Sequence, residues 1–438
     1  MTPKVLLANT TRWGATARVA IELTKAGCDV AAVCPPHHPV SKTHAVQRVF
    51  PYGGIRPLDS LLAAIESSRP DLVIPFDDRS TEHLHALHAR AHDLGPPGRA
   101  LAVLIERSLG APESYPIVSS RFELLRIARE EGLRVPNTIA VGGMWDLESW
   151  RENQPFPWVL KADGTFGGSG VKIANSWAQA NEVHGLMSRM FAVGTALKRL
   201  FINRDSFWLL PGLNRRKPRI VAQTYIRGRP ANCAVVCWKG TVLAGIGVDV
   251  VSAESLTGPA TVVRVVENAE MMHCAERLAR RLGLSGFFGL DFMIEDGSGA
   301  AFLIEMNPRC TPLCHLRLGV GRDMIGALFS RLSDSSMPET SPVTQNDRIA
   351  YFPGAWNFES GLLESSFQDI PALEPELVAE LVSPWPTQSL LFRLYTLKDR
   401  MRSRPSRKRA ATFTSGTVIT SSPDLAPKPA SGSAGTCG

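Results

Sequence analysis

The chain has 438 residues, 44% of them hydrophobic and 20% charged, a globular composition with length for two or three domains. No run approaches the roughly 18 apolar residues that cross a bilayer, and residues 1–8 form a brief strand pattern without the core or cleavage site of a signal peptide. A transmembrane class is therefore excluded and a cytoplasmic setting expected. The net charge of +7 predicts no specific nucleic-acid partner, because nearly all the excess lies in one run, seven basic residues between Lys398 and Arg409 against the single Asp399.

From the N-terminus, residues 5–8, 30–33 and 72–75 read as strands, and residues 15–25 and 58–67 as helices, the first closed by Gly27. Such alternation predicts a parallel sheet covered by helices, a Rossmann-like domain over residues 1–112. Ligands in open sheets of this kind bind beyond the strand C-terminal ends. The candidate loops are residues 9–14, with Arg12 and Trp13, and residues 76–81, with Asp77 and Asp78. His83, His85, His88 and His92 follow the second loop, the last three near one helix face; they read as surface or interlobe histidines rather than a metal cluster.

Residues 158–172 carry a β-run ending in Lys161, a glycine-rich loop with Gly167, Gly168 and Ser169, and a second β-like segment with Lys172. Glycines let backbone N–H groups approach phosphate oxygens, with Lys161 and Lys172 supplying charge. The lysine precedes the glycines, so this is neither a Walker A loop nor a dinucleotide fingerprint. The plain alternative is a flexible hairpin turn. Residues 192–219 are rich in Lys and Arg and interleaved with Phe201, Phe207 and Trp208; a solvated loop is the preferred reading, with an anionic docking surface as the alternative.

The most informative segment is Phe302-Leu303-Ile304-Glu305-Met306-Asn307-Pro308-Arg309, just after Gly289-Leu290-Asp291-Phe292-Met293-Ile294. Two apolar β-runs around a Gly-containing turn read as a hairpin. Residues two apart in a strand share a face, so Glu305 and Asn307 point the same way. If Asp291 faces that side too, two carboxylates and an amide oxygen form a hard site suited to Mg²⁺; otherwise these residues are only the wet face of a hairpin. Eight cysteines without a C-x-x-C pair make no disulfide framework, and Cys310, Cys314 and His315 read as buried thiols beside a histidine rather than a zinc site. Residues 342–397 offer aromatics and prolines for packing, with residues 390–395 as the start of an amphipathic helix. Residues 410–438 read as disorder.

Over residues 119–328 the chain resembles the ATP-grasp superfamily. Ser120-Arg121-Phe122-Glu123-Leu124-Leu125 through Gly132 and Pro136 is similar to that family's opening helix and exit, with Arg121 where the family has lysine. Residues 221–228, with Gln223, Thr224, Tyr225 and Ile226, resemble its adenine-reading hinge, Thr224 standing where glutamate is frequent. Asp291, Glu305 and Asn307 fall on its metal-ligand positions and Arg309 on its phosphate-contacting arginine. Asn232 stands near the acidic residue that many relatives use for ribose, and Arg264 where similar members carry an arginine beside the developing acyl phosphate. The resemblance implies an α/β chain: a Rossmann-like parallel-sheet domain, then a two-lobed α+β ATP-grasp fold over 113–335 with its hinge near 223–228. A packing extension over 336–400 and a basic, disordered tail over 401–438 complete the division. It further implies ATP and Mg²⁺, with Mn²⁺ as an alternative ion, and an ATP-dependent ligase joining a small-molecule carboxylate to an amine through an acyl phosphate. A homodimer stays open. The rivals are another phosphoryl-transfer enzyme of this fold, kinase or carboxylase-like, and a non-catalytic nucleotide-binding regulatory protein.

Overall fold

Four short strands with almost no polar side chains open the chain: β1 (Lys4–Ala8), β2 (Asp29–Cys34), β3 (Arg48–Pro51) and β4 (Leu72–Pro75). They form an all-parallel sheet in the order β3-β2-β1-β4. Alternate residues of β1 enter different cores: Val5 and Leu7 pack with Val19, Ala20 and Leu23 of helix α1 (Ala15–Lys25). Leu6 and Ala8 pack with α2 (Pro57–Ser68), α3 (Asp78–Ala91) and α4 (Gly95–Leu109). Burial on both faces is why β1, β2 and β4 read as apolar runs, whereas β3 at the sheet edge is mostly exposed. The structure, a computed structural model, describes residues 2–164, 170–189, 218–335, 341–357, 361–383, 411–414 and 417–419. Gly167, Gly168 and Ser169, the bulk of the basic insertion at 192–217, and the runs at 390–395 and 398–409 lie outside the described residues.

A short helix, α5 (Tyr115–Val118), and α6 (Arg121–Glu130), capped by Ser120, lead into a four-stranded antiparallel sheet ordered β5-β8-β6-β7. Its strands are β5 (Thr138–Val141), β6 (Trp158–Ala162), β7 (Val171–Ala174) and β8 (Ile220–Thr224). Helices α7 (Met144–Arg151) and α8 (Trp177–Ser188) cover one face, where Trp150, Trp158, Leu160, Ala174 and Ala222 form the core. Val159, Lys161 and Gln223 alternate to the other face, which is open to a cavity.

The largest sheet runs β13-β12-β9-β10-β11-β14-β15. Its strands are β9 (Gly228–Trp238), β10 (Thr241–Ala253), β11 (Ala260–Val266), β12 (Gly286–Glu295), β13 (Ala301–Asn307), β14 (Arg348–Tyr351) and β15 (Phe367–Asp369). β9 and β10 are joined by Lys239-Gly240, both at positive φ, the two-residue turn whose twist suits a tight hairpin. Helix α9 (Ala269–Leu282) lies against one face: Asn268 caps it, Gly283 ends it in the left-handed region, and Met271, Cys274, Ala275, Leu278 and Leu282 are buried with Leu290, Phe292 and Leu303. Each such leucine contributes about 2 kcal/mol of transfer free energy. On the opposite face Ile246, Val248 and Val263 pack against α1 and α10 (Met324–Ser333), seating the N-terminal domain on this sheet. Helix α11 (Pro375–Val382) closes the described core.

Of the tail expected to be disordered, only residues 411–414 and 417–419 are described, and these are strands. Strands β16 (Ala411–Thr414) and β17 (Thr417–Ile419) pair with each other, and β16 pairs with Ser252 and Ala253 of β10. β10's register with β9 ends at Asp249, so its outer two residues have a free edge there, and short β-branched segments suit such an edge. Among the described residues no helix is long and apolar enough to cross a membrane.

Of the four histidines after the second loop, His83, His85 and His88 make packing contacts while His92 is exposed. His83 meets the Tyr52 hydroxyl at 3.0 Å, His85 stacks on Tyr115 with centroids 4.2 Å apart, and His88 meets Glu106 at 2.8 Å. Burial, reinforced by Arg12, pushes His38 down to about 3; burial with Arg79 takes His83, and with His88 takes His85, down to about 4. These rings stay neutral in the fold but take up protons in the unfolded chain below about pH 6.5. Their stabilisation is therefore complete above about pH 6.5 and is lost as pH falls towards 4. Denaturant unfolding across that window should show stability rising with pH, and His38→Gln should flatten the slope.

Candidate functional site

The hairpin of β12 and β13 sets Asp291 directly opposite Glu305 and Gly289 opposite Asn307. Asp291, Glu305 and Asn307 therefore share the sheet face that looks towards the N-terminal domain, as the two-residue period requires. β9 adds Asn232, opposite Asp291. Asn232 Nδ2 donates to Asp291 Oδ1 at 2.6 Å, and Asn307 Nδ2 donates to Asp291 Oδ2 at 3.1 Å. Asn232 thus orients a carboxylate and also lines the cavity faced by the four-stranded sheet.

Cations approach from two other elements. From the start of α6, Arg121 Nε and Nη2 donate to Glu305 Oε1 at 3.1 and 2.6 Å, and its Nη1 donates to Asp163 Oδ1 at 3.0 Å and to the Ala162 carbonyl at 2.9 Å. From β6, the buried Lys161 donates to the Ile304 carbonyl at 3.0 Å and lies 4.0 Å from Glu305 Oε2. Burial and the neighbouring Glu305 charge push Asp291 up to about 6. Burial would raise Glu305 as well, but Arg121 and Lys161 outweigh it and hold that carboxyl below its ordinary value. Burial takes Lys161 down to about 8 although Glu305 opposes it. The group is one acid poised near neutrality, one acid held ionised, and a lysine with a weakened hold on its proton.

These side chains line a cavity of about 370 Å³ between the four-stranded sheet and the large sheet. Gln223 is buried in its wall, and its Nε2 donor has no partner among the described residues. The hinge follows: Thr224 N–H donates to the Asn137 carbonyl at 2.9 Å and Tyr225 N–H to the Pro157 carbonyl at 3.3 Å, while Ile226 also lines the cavity. Gly228 begins β9 so close to β12 that a Cβ there would lie 2.0 Å from the Ile294 carbonyl oxygen.

Arg309 joins the cavity to the N-terminal domain. Its Nε donates to Asp78 at 3.0 Å, its Nη2 to Asn307 Oδ1 at 3.1 Å, and its guanidinium lies 5.9 Å from the Trp13 ring centroid. Thr81 Oγ1 donates to the Pro308 carbonyl and Cys310 N–H to the Pro75 carbonyl, fixing the strand ends of the parallel sheet to the end of β13. The segment expected as a loop at 76–81 is already the start of α3: Asp77 caps it through Ser80 and also accepts from Thr10. The Asp77-x-x-Ser80 spacing is a capping signature that could have marked this start.

Two expected site residues are not brought here. Lys172 pairs with Leu160, so it occupies the far face of β7 while Val171 and Ile173 line the cavity, and its side chain is exposed. Arg264 pairs with Asp249 and donates to it at 3.1 Å, alongside Arg229 at 3.2 Å. Asp249 in turn pairs with Ala231, whose side chain belongs to the core under α9, so Arg264 lies on the sheet face away from Asp291, Glu305 and Asn307. The correction is one of register: an arginine on β11 reaches the site only from the alternate positions. Conversely, Asp163 and Tyr351 brace or line the site without having been singled out, while Asp78 was expected only as part of a loop.

A family model described as an ATP-grasp domain matches residues 118–312. No curated protein matches the chain. Among solved structures, the L-amino acid ligase from Bacillus licheniformis is 16% identical with a TM-score of 0.54, covering 78% of this chain and 79% of its own. The N5-carboxyaminoimidazole synthetase from Staphylococcus aureus, complexed with ADP, is 14% identical with a TM-score of 0.52, covering 77% and 79%. The biotin carboxylase domain dimer of the Hydrogenobacter thermophilus 2-oxoglutarate carboxylase, with MgADP and bicarbonate, is 14% identical with a TM-score of 0.54, covering 78% and 72%. At these identities the likeness is one of fold, and it agrees with an α/β chain in which a Rossmann-like parallel sheet precedes two α+β lobes.

Proposed function

The chain carries an ATP-grasp domain over residues 118–312, and from that premise we propose that it is an ATP-dependent ligase joining a carboxylate to an amine, with release of ADP and phosphate. The observation that carries this reading is the charge layout of the cavity. Two carboxylates and an amide on one hairpin face lie against Lys161, Arg121 and Arg309, with a buried amide donor at Gln223 beside the hinge that has no partner among the described residues.

The donor set fits a hard divalent ion: Asp291, Glu305 and Asn307 present oxygen only, and no thiol or imidazole competes among them. These three residues would hold Mg²⁺, which when bound neutralises charge on phosphate oxygens. Gln223 fits a nucleobase, since its orphaned Nε2 is costly without a partner and a ring nitrogen or exocyclic oxygen would supply one. Lys161 places positive charge between the two sheets, where the phosphates would lie. Arg309, held at the mouth by Asp78 and Asn307, faces the transferring γ-phosphoryl group. Arg121 occupies the position of the family lysine and grips Glu305 with a planar fork. Transfer to a substrate carboxylate forms an acyl phosphate, from which an amine displaces phosphate. That chemistry needs positioning and charge rather than a nucleophilic side chain. We extend the proposal to the domain division: residues 1–112, 113–335 with its hinge near 223–228, and an extension from 336.

The test is phosphate release from Mg-ATP by the purified chain, with acids and amines supplied in crossed pools and Asp291→Asn as control. Release that requires one acid and one amine, and is lost in the variant, supports the ligase. Release with an acid or bicarbonate alone transfers support to a kinase or carboxylase.

A further inference from the structure

Beyond Asn307 and Arg309 the cavity changes character. Its floor continues on the same sheet face with Val250 and Ala260, and its walls come from Trp13 after β1, Leu313 after β13 and Tyr351 at the end of β14. Among the described residues lining this end, the charged side chains are only Arg309 and Asp78, and those two are bonded to each other. The compartment is also built rigidly. Arg12, next to Trp13, donates to both the backbone and the carboxylate of Glu380 on α11, and Trp13 N–H donates to His38 Nε2 at 3.1 Å. A Cβ on Gly14 would lie 2.9 Å from Leu381. The segment carrying Leu313 is pressed onto the sheet, since a Cβ on Gly289 would meet Thr311 at 2.6 Å.

We propose that this compartment takes the body of the carboxylate substrate, and that the body is apolar or aromatic and uncharged, seated against Trp13 and Tyr351 with its carboxylate towards Arg309. The inference rests on the ligase reading for the word substrate, but its content is a binding preference that can be measured without turnover. A second anionic group, as in a dicarboxylate or a phosphorylated sugar, would meet no free cation in these walls and would lose its hydration without compensation. An aromatic or branched aliphatic body instead exchanges water for Trp13, Leu313 and Val250. Trp13 is a specificity residue here and takes no part in the phosphoryl transfer.

The experiment is calorimetric titration of the full chain, saturated with Mg-ADP, with a matched series of acids: phenylpropanoate, phenylalanine, leucine, acetate, bicarbonate, glutamate, succinate and a sugar phosphate. Phosphate release with an amine pool is run in parallel. We expect the aromatic and branched acids to bind tightest, and Trp13→Ala to weaken them roughly tenfold while leaving acetate little changed. Tyr351→Ala, at another point of the wall, should reproduce that selective loss, and thermal melting shows that each variant is folded. Tightest binding by a dicarboxylate, a phosphate ester or bicarbonate overturns the inference, as does uniform weakening across the series in both variants. Selective binding of apolar acids without phosphate release under any pool sustains the compartment's preference and overturns the ligase reading. Release led by a charged acid does the reverse.

Discussion

Replacing Glu305 by alanine is expected to reduce phosphate release by at least about a thousandfold and to destabilise the fold by about 3 kcal/mol. The first effect follows from the oxygen set: Asp291 remains, but with its carboxyl raised by burial it is a weak single ligand, and Asn307 contributes only a neutral amide. The second follows from Arg121, which loses the carboxylate its Nε and Nη2 grip while its bond to Asp163 stays. Because Asp163 stays, the cost falls at the lower end of the range for breaking a buried pair. Glu305→Gln separates the two effects. It keeps an oxygen for Arg121 and the volume of the side chain, so denaturant midpoints should largely recover while phosphate release should not. Recovery of both in the glutamine variant would show that Glu305 acts only as a brace.

The second large effect is on stability alone. Asp369 is buried, meets His315 Nε2 at 2.8 Å and accepts a hydrogen bond from Arg18. Burial would raise its carboxyl, but His315 and Arg18 outweigh this and hold it well below the usual carboxylate range. The three residues come from β15, from the turn after β13 and from α1, so one carboxylate ties the C-terminal extension to both the N-terminal domain and the β12–β13 hairpin. Asp369→Ala leaves Arg18 and His315 without their anion in a dry setting and should cost about 3–5 kcal/mol, read from chemical unfolding. A depressed native pKa means stability that is present above about pH 4, the unfolded value, and lost as pH falls through the native one. In the alanine variant the unfolding profile below about pH 4 should therefore flatten, while the histidine-dependent limb between about 4 and 6.5 persists. Asp369→Asn, which keeps a polar partner but no charge, should fall between the two.

What could be read from residue order follows the physics of each element. β1 and β4 are buried on both faces, so apolar run length alone located them, and α1 shows its stripe and its glycine stop. α4 escaped because it begins Gly95-Pro96-Pro97-Gly98, a turn-like string, although proline is tolerated in a first helical turn. Asp291, Glu305 and Asn307 could be found because hairpin pairing and a period of two are local rules. Arg264 and Lys172 could not be excluded by the same rules, since the face each occupies depends on strand partners many residues away. Asn232 was found as a polar residue after the hinge, but its bond to Asp291 is a cross-strand contact over 59 positions. The wall at Trp13 was legible only as a loop beyond a strand end. Which side chain mattered depended on Arg309 and Glu380, and no local pattern announces those neighbours.

Arg12 and the Glu380 that holds it stand 368 residues apart in the chain. At a synthesis rate of about 5–20 residues per second, the loop carrying Trp13 emerges roughly 20–70 s before its clamp exists. During that interval the N-terminal sheet can form and the two α+β lobes can follow in turn, but the apolar compartment lacks one of its braces. A newly made chain therefore completes the walls around Lys161, Gln223 and Glu305 before the compartment at Trp13, an order of assembly imposed by where the two halves of one ion pair were written.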